Sequence, residues 1–339
     1  MNEKSIARVA LVGLGPIGLE VARAVLERPG IEVLGAADPA SDKAGKDLRE
    51  LVRSEGGDRP FSIAPSAREL YDRSAPSRGK RDVVLLCTGS RLESVAPQIR
   101  EAVAAGFHVV STCEELSFPD LHHGDLARSL DAKAKERGVA VLGTGVNPGL
   151  VMDRLALAVA GACVKVEKLK VTRVVDAAKR RGPLRAKVGA GLSKEEFESG
   201  VAARKLGHVG LSESAAMVAL GLGLPIDEIS ETIEPVLALR EAEGVAAGRV
   251  LGLHQVARVR AGGEIHVELD LTMAVGVPEA FDRIEIQGDP PVNLRVTGGF
   301  HGDRATVGCV INAIPFIVAA PPGVQTVVTL PLFGLRPQR

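Results

Sequence analysis

Gly13-x-Gly15-x-x-Gly18 closes the apolar run Ala7–Leu14 and opens a helical stretch to about Arg28, which Pro29-Gly30 ends. A second apolar run, Ile31–Ala37, leads to Asp38, 20 residues beyond Gly18. Strand, glycine turn, helix, strand and acid, in that order, are the parts of a dinucleotide site. Gly13 permits the tight turn, Gly15 lets the backbone approach a pyrophosphate, and Gly18 lets the helix pack closely on the strand. The helix start at Pro16 and Ile17 turns N–H groups toward the phosphates. Asp38 suits a ribose hydroxyl and favours NAD, because a 2′-phosphate would meet its charge. Ser41, Lys43 and Lys46 follow closely and leave NADP open.

The alternation continues. Strands are expected at Arg81–Cys87, Phe107–Ser111 and Val139–Leu142, with helices to about Ala105 and over 124–137. Ligands of such parallel sheets bind beyond the carboxyl ends of the strands. Thr88-Gly89-Ser90, Thr112-Cys113-Glu114-Glu115 and Gly143 to Asn147 fall there. Thr88, Gly89, Ser90, Thr112 and Cys113 are therefore candidate cofactor contacts. Glu114 and Glu115 read either as a helix start, where carboxylates complement the dipole, or as a general acid/base. Neighbours at a strand end point in opposite directions, so one of the two faces the substrate, and Glu114 is the choice.

Other polar residues carry weaker signals. Asn147-Pro148 reads as an N-cap with proline at the first helical position, its side chain close enough for substrate. Cys113 reads as core, with no histidine paired to it. His122-His123 reads as a polar loop, with no acid or cysteine at ligand spacing, so no metal site is expected. His208 sits in a glycine-flanked loop that suits a substrate contact. Lys179-Arg180-Arg181 reads as a solvated loop or a carboxylate site.

The elements that hold these residues form two halves. Residues 1–147 read as a doubly wound parallel α/β domain. Residues 148–301 read as an α+β domain with an open, mostly antiparallel sheet, and 302–339 return to the first domain. Period-2 alternation marks strands at 166–176, 249–261 and 264–275, with further strands near 282–287 and 292–297. Ser193-x-x-Glu196 is a capping box. A sheet of this size needs one face covered by helices or by a second subunit.

Composition narrows the function classes. The 339 residues divide into two domains at about 150 residues each. Forty-two basic and 42 acidic residues balance, which argues against a nucleic-acid binder. Nine aromatics, none of them Trp, argue against base stacking. The longest apolar run, near 309–320, is broken by Asn312 and Pro315 and falls short of a membrane span. Met1-Asn2-Glu3-Lys4 leaves no room for a signal peptide before the first strand. Four cysteines far apart, with no CxxC, fit a reducing cytoplasm.

Five segments together resemble one family: Val9-Ala-Leu-Val-Gly-Leu-Gly-Pro-Ile-Gly18, Ser111-Thr-Cys-Glu-Glu-Leu-Ser-Phe-Pro119, Gly143-Thr-Gly-Val-Asn-Pro-Gly149, Lys205-Leu-Gly-His-Val-Gly-Leu-Ser-Glu-Ser214 and Val310-Ile-Asn-Ala-Ile-Pro315. They are similar to the 2,4-diaminopentanoate dehydrogenases and native amine dehydrogenases of the dihydrodipicolinate-reductase-like group. The resemblance implies NAD(P)-dependent reversible oxidative deamination of an amine to a ketone and ammonia. It also implies a catalytic glutamate in Cys113-Glu114-Glu115, Asn312 among the cofactor contacts, and a homodimer built through the second domain. The chain departs from true dihydrodipicolinate reductases, whose His-His-x-x-Lys and Pro-Ser-Gly-Thr segments are missing around Val174–Gly191. A substrate carboxylate would call for an arginine or lysine, which Arg173, Lys179, Arg180, Arg181 or Arg185 could supply, Arg173 being the candidate substrate contact; a neutral pocket would instead suit small alkyl amines and ketones. Two other readings stay open: a reductase of a cyclic imine, and a non-catalytic NAD(P)-binding regulator.

Overall fold

A computed structural model describes residues 7–53, 61–74, 81–178 and 182–331. The basic triplet Lys179-Arg180-Arg181 lies outside them. The chain divides at Leu150/Val151 and His301/Gly302 into two compact units.

The first unit runs β1 (Ala7–Val12), α1 (Pro16–Leu26), β2 (Ile31–Ala37), α2 (Leu48–Val52), α3 (Ala67–Ser74), β3 (Asp82–Leu86), α4 (Leu92–Ala104), β4 (His108–Ser111), a 3-10 turn (Glu114–Ser117), α5 (Asp120–Arg137) and β5 (Ala140–Gly143). β1, β3, β4 and β5 are short apolar runs buried on both faces, as parallel strands between helical layers must be. The sheet order is β12-β5-β4-β3-β1-β2, parallel throughout, so every carboxyl end lies on one edge. The order reverses between β1 and β3. At that crevice two glycines hold the backbones together. Gly13 has φ +86°, and a Cβ on it would lie 2.8 Å from the Cys87 carbonyl. A Cβ on Gly18 would lie 1.9 Å from the Gly13 carbonyl.

The second unit contains α6 (Arg154–Ala160), β6 (Lys165–Asp176), α7 (Gly182–Lys187), α8 (Lys194–Ala202), α9 (Leu211–Gly221), β7 (Glu228–Leu237), β8 (Val250–Ala261), β9 (Glu264–Ala274), β10 (Phe281–Asp289) and β11 (Val292–Thr297). Its sheet order is β11-β10-β6-β9-β8-β7. β6 and β9 are parallel and the remaining pairs antiparallel. The apolar positions Val267, Leu269 and Leu271 of β9 are buried, and α9, apolar nearly all round, packs on β7, β8 and β9. On the opposite face charges pair across strands. Glu268 takes Lys170 at 2.7 Å and Arg258 at 2.7 Å, and Asp270 takes His254 at 3.0 Å. Ser193 and Glu196 form the expected capping box on α8.

The chain ends its described part in α10 (Gly302–Ala319) and β12 (Gly323–Gln325), both in the first unit. α10 is long and apolar enough to pass as a membrane span. Here it is a core helix, packed on α1, β3, β4 and β5 through Val307, Val310, Ile314 and Ile317.

Three local expectations change. The helix expected from Asn147-Pro148 starts at Arg154, with Asp153 as its N-cap, and the Asn147–Pro148 peptide is cis. Asp153 is fully buried and accepts from Ser214 Oγ at 2.8 Å, which fastens α6 to α9. His122 and His123 lie inside α5 rather than in a loop, with His123 at a kink of φ −133°, ψ 40°. β7 carries no clean strand signature, because Pro235 and three glutamates interrupt it. It is an edge strand, the place where proline is tolerated.

Arg173 is 4% exposed and Asp282 2%. Arg173 Nη1 donates to Asp282 Oδ1 at 2.6 Å and Nη2 to the Phe300 carbonyl at 2.9 Å, while Phe300 N donates to Asp282 Oδ2 at 2.7 Å. The pair thus binds the last segment of the second unit to its sheet. Asp282→Asn is expected to cost about 3–5 kcal/mol in urea unfolding, because it leaves a buried guanidinium without its counter-charge. Arg173→Met with Asp282→Leu should cost less than that single change. In the first unit, Gly18→Ala should lower stability by about 1–3 kcal/mol, the usual range for overpacking, and weaken dinucleotide binding measured by titration calorimetry.

Candidate active site

The parallel sheet of the first unit gathers the candidate residues on its carboxyl edge. Gly13 follows β1, Asp38 follows β2, Thr88-Gly89-Ser90 follow β3, Thr112 to Glu115 follow β4, and Thr144 to Asn147 follow β5. Backbone hydrogen bonds extend the strands into these loops. Gly13 N donates to Ala37 O at 3.0 Å, Cys87 N to Val12 O at 2.8 Å, Thr112 N to Leu86 O at 3.1 Å and Thr144 N to Ser111 O at 2.9 Å.

The glycine turn fits a dinucleotide. Gly15 caps α1 without a side-chain oxygen, and the first turn of α1 carries no acid. Among the described residues nothing lies within 4 Å of the Cβ position of Gly15. Backbone and helix dipole are therefore open to an anion there. Asp38 is held in place: Oδ2 accepts from Leu14 N at 2.7 Å and from Lys43 Nζ at 3.3 Å, and Oδ1 accepts from Ala40 N at 2.9 Å. Burial pushes its proton affinity up. The Ala40 and Leu14 N–H groups and the Lys43 ammonium outweigh it, and the carboxyl lies below the usual aspartate range. Asn312 Oδ1, on α10, is buried without a hydrogen-bond partner among the described residues, an acceptor that a bound amide or hydroxyl would satisfy.

The two glutamates differ. Glu114 is half-buried and opens the 3-10 turn. Glu115 is 6% exposed. Its Oε1 takes Arg91 Nη1 at 2.7 Å, and its Oε2 takes Leu92 N at 2.7 Å and His123 Nε2 at 3.0 Å. Burial raises the proton affinity of Glu115, but Arg91, the Leu92 N–H and His123 together hold the carboxyl below the usual glutamate range. Gly143 makes room for the turn, since a Cβ there would lie 2.6 Å from Ser117 N. Neither Arg91 nor His123 stands out in the sequence as a partner of Glu115. The one signal is that Arg91 directly follows Thr88-Gly89-Ser90.

Cys113 is buried, donates to the Ser90 carbonyl at 3.2 Å, and has its thiol pushed up to about 12, first by burial. A thiol in that state packs rather than attacks. Asn147 is buried beside these loops. Thr144, within the Gly143–Asn147 segment that the sequence places at this edge, is 3% exposed with Oγ1 unpartnered among the described residues. No group of three or more His, Cys, Asp or Glu among the described residues is placed to hold a metal.

The other two candidate substrate contacts belong to the second unit. Arg173 lies in its ion pair with Asp282. His208 is fixed by its backbone: His208 N donates to Gln255 Oε1 at 2.8 Å, and Gln255 Nε2 donates to His208 O at 2.8 Å and to Glu231. Gln255 is fully buried and carries no sequence signal, because one amide in an alternating strand looks like any outward polar residue.

Comparison with known proteins gives the family and the fold. The family described as the 2,4-diaminopentanoate dehydrogenase C-terminal domain matches residues 150–335. The 2,4-diaminopentanoate dehydrogenase of Acetoanaerobium sticklandii is 32% identical over 96% of this chain and 93% of its own. The amine dehydrogenase of Streptomyces virginiae is 22% identical over 94% of this chain and 95% of its own. The solved amine dehydrogenase of Mycobacterium smegmatis shares the fold, with a TM-score of 0.84 at 24% identity over 98% of each chain. With over half of its residues matched by the family and a relative 32% identical across nearly all of both proteins, the chain belongs to the 2,4-diaminopentanoate dehydrogenase family.

Proposed function

We propose that this enzyme carries out NAD(P)-dependent, reversible oxidative deamination of an amine, either 2,4-diaminopentanoate or a small alkyl amine, to a ketone and ammonia. The observation that carries the reading is a pair of adjacent glutamates on the sheet edge that also gathers the glycine turn and Asp38, in a chain of this family. Nothing in the fold or the comparisons favours a cyclic-imine reductase or a non-catalytic regulator.

Gly13, Gly15, Gly18 and the α1 N-terminus would hold the pyrophosphate, and Asp38 a ribose hydroxyl. Thr88 to Ser90, Thr112, Cys113 and Asn312 are assigned to the remaining cofactor contacts. The nicotinamide, when bound, accepts a hydride from the carbon that bears nitrogen. Glu114 is the acid/base. It takes a proton from the substrate ammonium, so that the lone pair can form the iminium as hydride leaves. Water then adds to the iminium carbon and its protons pass to the nitrogen and to solvent as the carbon–nitrogen bond breaks; Glu114 returns its proton to the departing ammonia, so that ketone, ammonium and one net proton leave. Asn147 and His208 are assigned to the substrate. Arg173 is kept as a candidate carboxylate contact only by way of its Asp282 partner, whose oxygen a substrate carboxylate would have to replace.

Asp38, ionised at neutral pH, supports NAD as the preferred cofactor. Lys43, 3.3 Å from it, supplies a charge that keeps NADP usable. A homodimer built through the second unit is supported by its charged sheet face, where Lys170, Arg258 and His254 pair with Glu268 and Asp270. The chain's few, scattered cysteines support a cytoplasmic setting.

NAD(P)H formation at alkaline pH with 2,4-diaminopentanoate and a panel of short amines tests the activity. Turnover with the diamino acid alone establishes that substrate, turnover with simple amines establishes a broader pocket, and silence across the panel with intact cofactor binding overturns the reading. Glu114→Gln should lower kcat at least about 100-fold, the lower range for general acid/base catalysis, with cofactor affinity unchanged. Lys43→Ala should lower kcat/KM for NADP about tenfold, the effect of roughly 1.4 kcal/mol of lost charge pairing, and leave NAD nearly unaffected.

A further inference from the structure

The turn that carries Glu114 is fastened to its surroundings at several points, and Glu115 makes most of the attachments. Glu115 Oε2 accepts from Leu92 N, the first residue of α4. The helix has no side-chain cap of its own at Arg91, so a carboxylate from another element serves as its cap. Glu115 Oε1 holds Arg91, the last residue of the Thr88–Arg91 loop. Glu115 Oε2 also meets His123 Nε2 at 3.0 Å, at the one position where α5 leaves helical geometry. The Ser90 carbonyl accepts from Glu115 N at 3.3 Å and from Cys113 Sγ at 3.2 Å. Carboxylate and backbone thus join the 3-10 turn, the loop after β3 and the kink of α5 into one piece.

We infer that Glu115 is a positioning residue: through Arg91, Leu92 N and His123 it holds Glu114 and the Thr88–Ser90 loop in one fixed relation, and it takes no part in proton transfer. The inference rests on the reading of Glu114 as the acid/base, and it adds a consequence that reading lacks. A residue that only moved protons would leave dinucleotide binding alone. A residue that fastens the cofactor loop to the catalytic turn changes both. Arg91 is 45% exposed in its side chain, so its replacement loosens the same joint without opening the core.

Glu115→Gln, Arg91→Gln, the double variant and Glu114→Gln are compared by the pH profile of kcat, dinucleotide affinity from titration calorimetry, and thermal melting. Glu115→Gln should reduce kcat about tenfold and weaken dinucleotide affinity about threefold, the size of losing one or two charge-assisted hydrogen bonds in a partly retained network. The ionisation limbs of its pH profile should stay where they are in the parent enzyme. Arg91→Gln should show the same pattern at smaller size, and it decides the matter if Glu115→Gln does not fold. The double variant should lose less than the product of the two single losses. Glu114→Gln should do the opposite, removing a limb of the profile and leaving dinucleotide affinity unchanged. The inference is overturned if Glu115→Gln removes the limb, or if Glu115→Gln and Arg91→Gln both leave kcat and dinucleotide affinity within twofold of the parent. If Glu114→Gln turns over normally while the Glu115 and Arg91 variants still weaken dinucleotide binding, the acid/base reading fails and the positioning role stands.

Discussion

An ionised carboxylate taken out of water must be paired and hydrogen-bonded, because its desolvation is too costly otherwise. At the end of β4 that requirement falls on Glu115. It is met by a guanidinium from the β3–α4 loop, a backbone N–H from the start of α4 and an imidazole from the kink in α5. Arg91 and Leu92 are neighbours where the β3–α4 loop enters α4, and His123 lies at the kink of α5, so satisfying one charge ties three pieces of backbone together: the 3-10 turn, the start of α4 and the kink of α5. The pairing also holds the carboxyl below the usual glutamate range, far from the pH at which an acid/base is useful. The two adjacent acids therefore sit in different environments: Glu115 is buried and held ionised by its neighbours, whereas Glu114 is half-buried at the start of the 3-10 turn.

That edge exists because the six strands of the first unit run one way. Parallel order puts Gly13, Asp38, Ser90, Glu114 and Asn147 on one side, although they span most of residues 7–150. The crevice between β1 and β3 is tight. Gly13 and Gly18 meet backbone where any Cβ would collide, whereas Gly15 meets open space. Three glycines in one motif thus do two different things, two of them closing the protein against itself and the third leaving room for a ligand.

The parts legible in the sequence were those whose cause is local. The glycine turn, the capping box of Ser193 and Glu196, and the alternation of β8 and β9 each depend on residues a few positions apart. The doubly wound first unit and the mostly antiparallel second sheet followed from them, whereas the parallel pairing of β6 with β9 did not. What was not legible depends on partners that only the fold brings together. Arg91 reaches Glu115 across 24 positions, and Arg173 meets Asp282 across 109. From sequence Arg173 looked like a cation awaiting a substrate carboxylate, because its protein carboxylate was out of sight. Asn147-Pro148 misled in the other direction. The local signature of a helix start is present, but the helix waits for Asp153, whose second oxygen is held by Ser214.

The same reasoning bears on substrate size and charge. A pocket that binds an amino acid usually keeps a guanidinium or ammonium available for the carboxylate. Arg173 holds Asp282 at 2.6 Å in a buried setting, and replacing that partner would leave Asp282 itself buried and uncompensated. A diamino acid has ammonium groups as well as a carboxylate. It can exchange with such a pair on both sides, its carboxylate toward Arg173 and an ammonium toward Asp282, so that no charge is left alone. A simple alkyl amine offers only the cation and would leave the guanidinium unmatched if it displaced Arg173. Any involvement of this pair in binding therefore favours the diamino acid, whereas a pair that stays closed during turnover leaves the choice to other contacts.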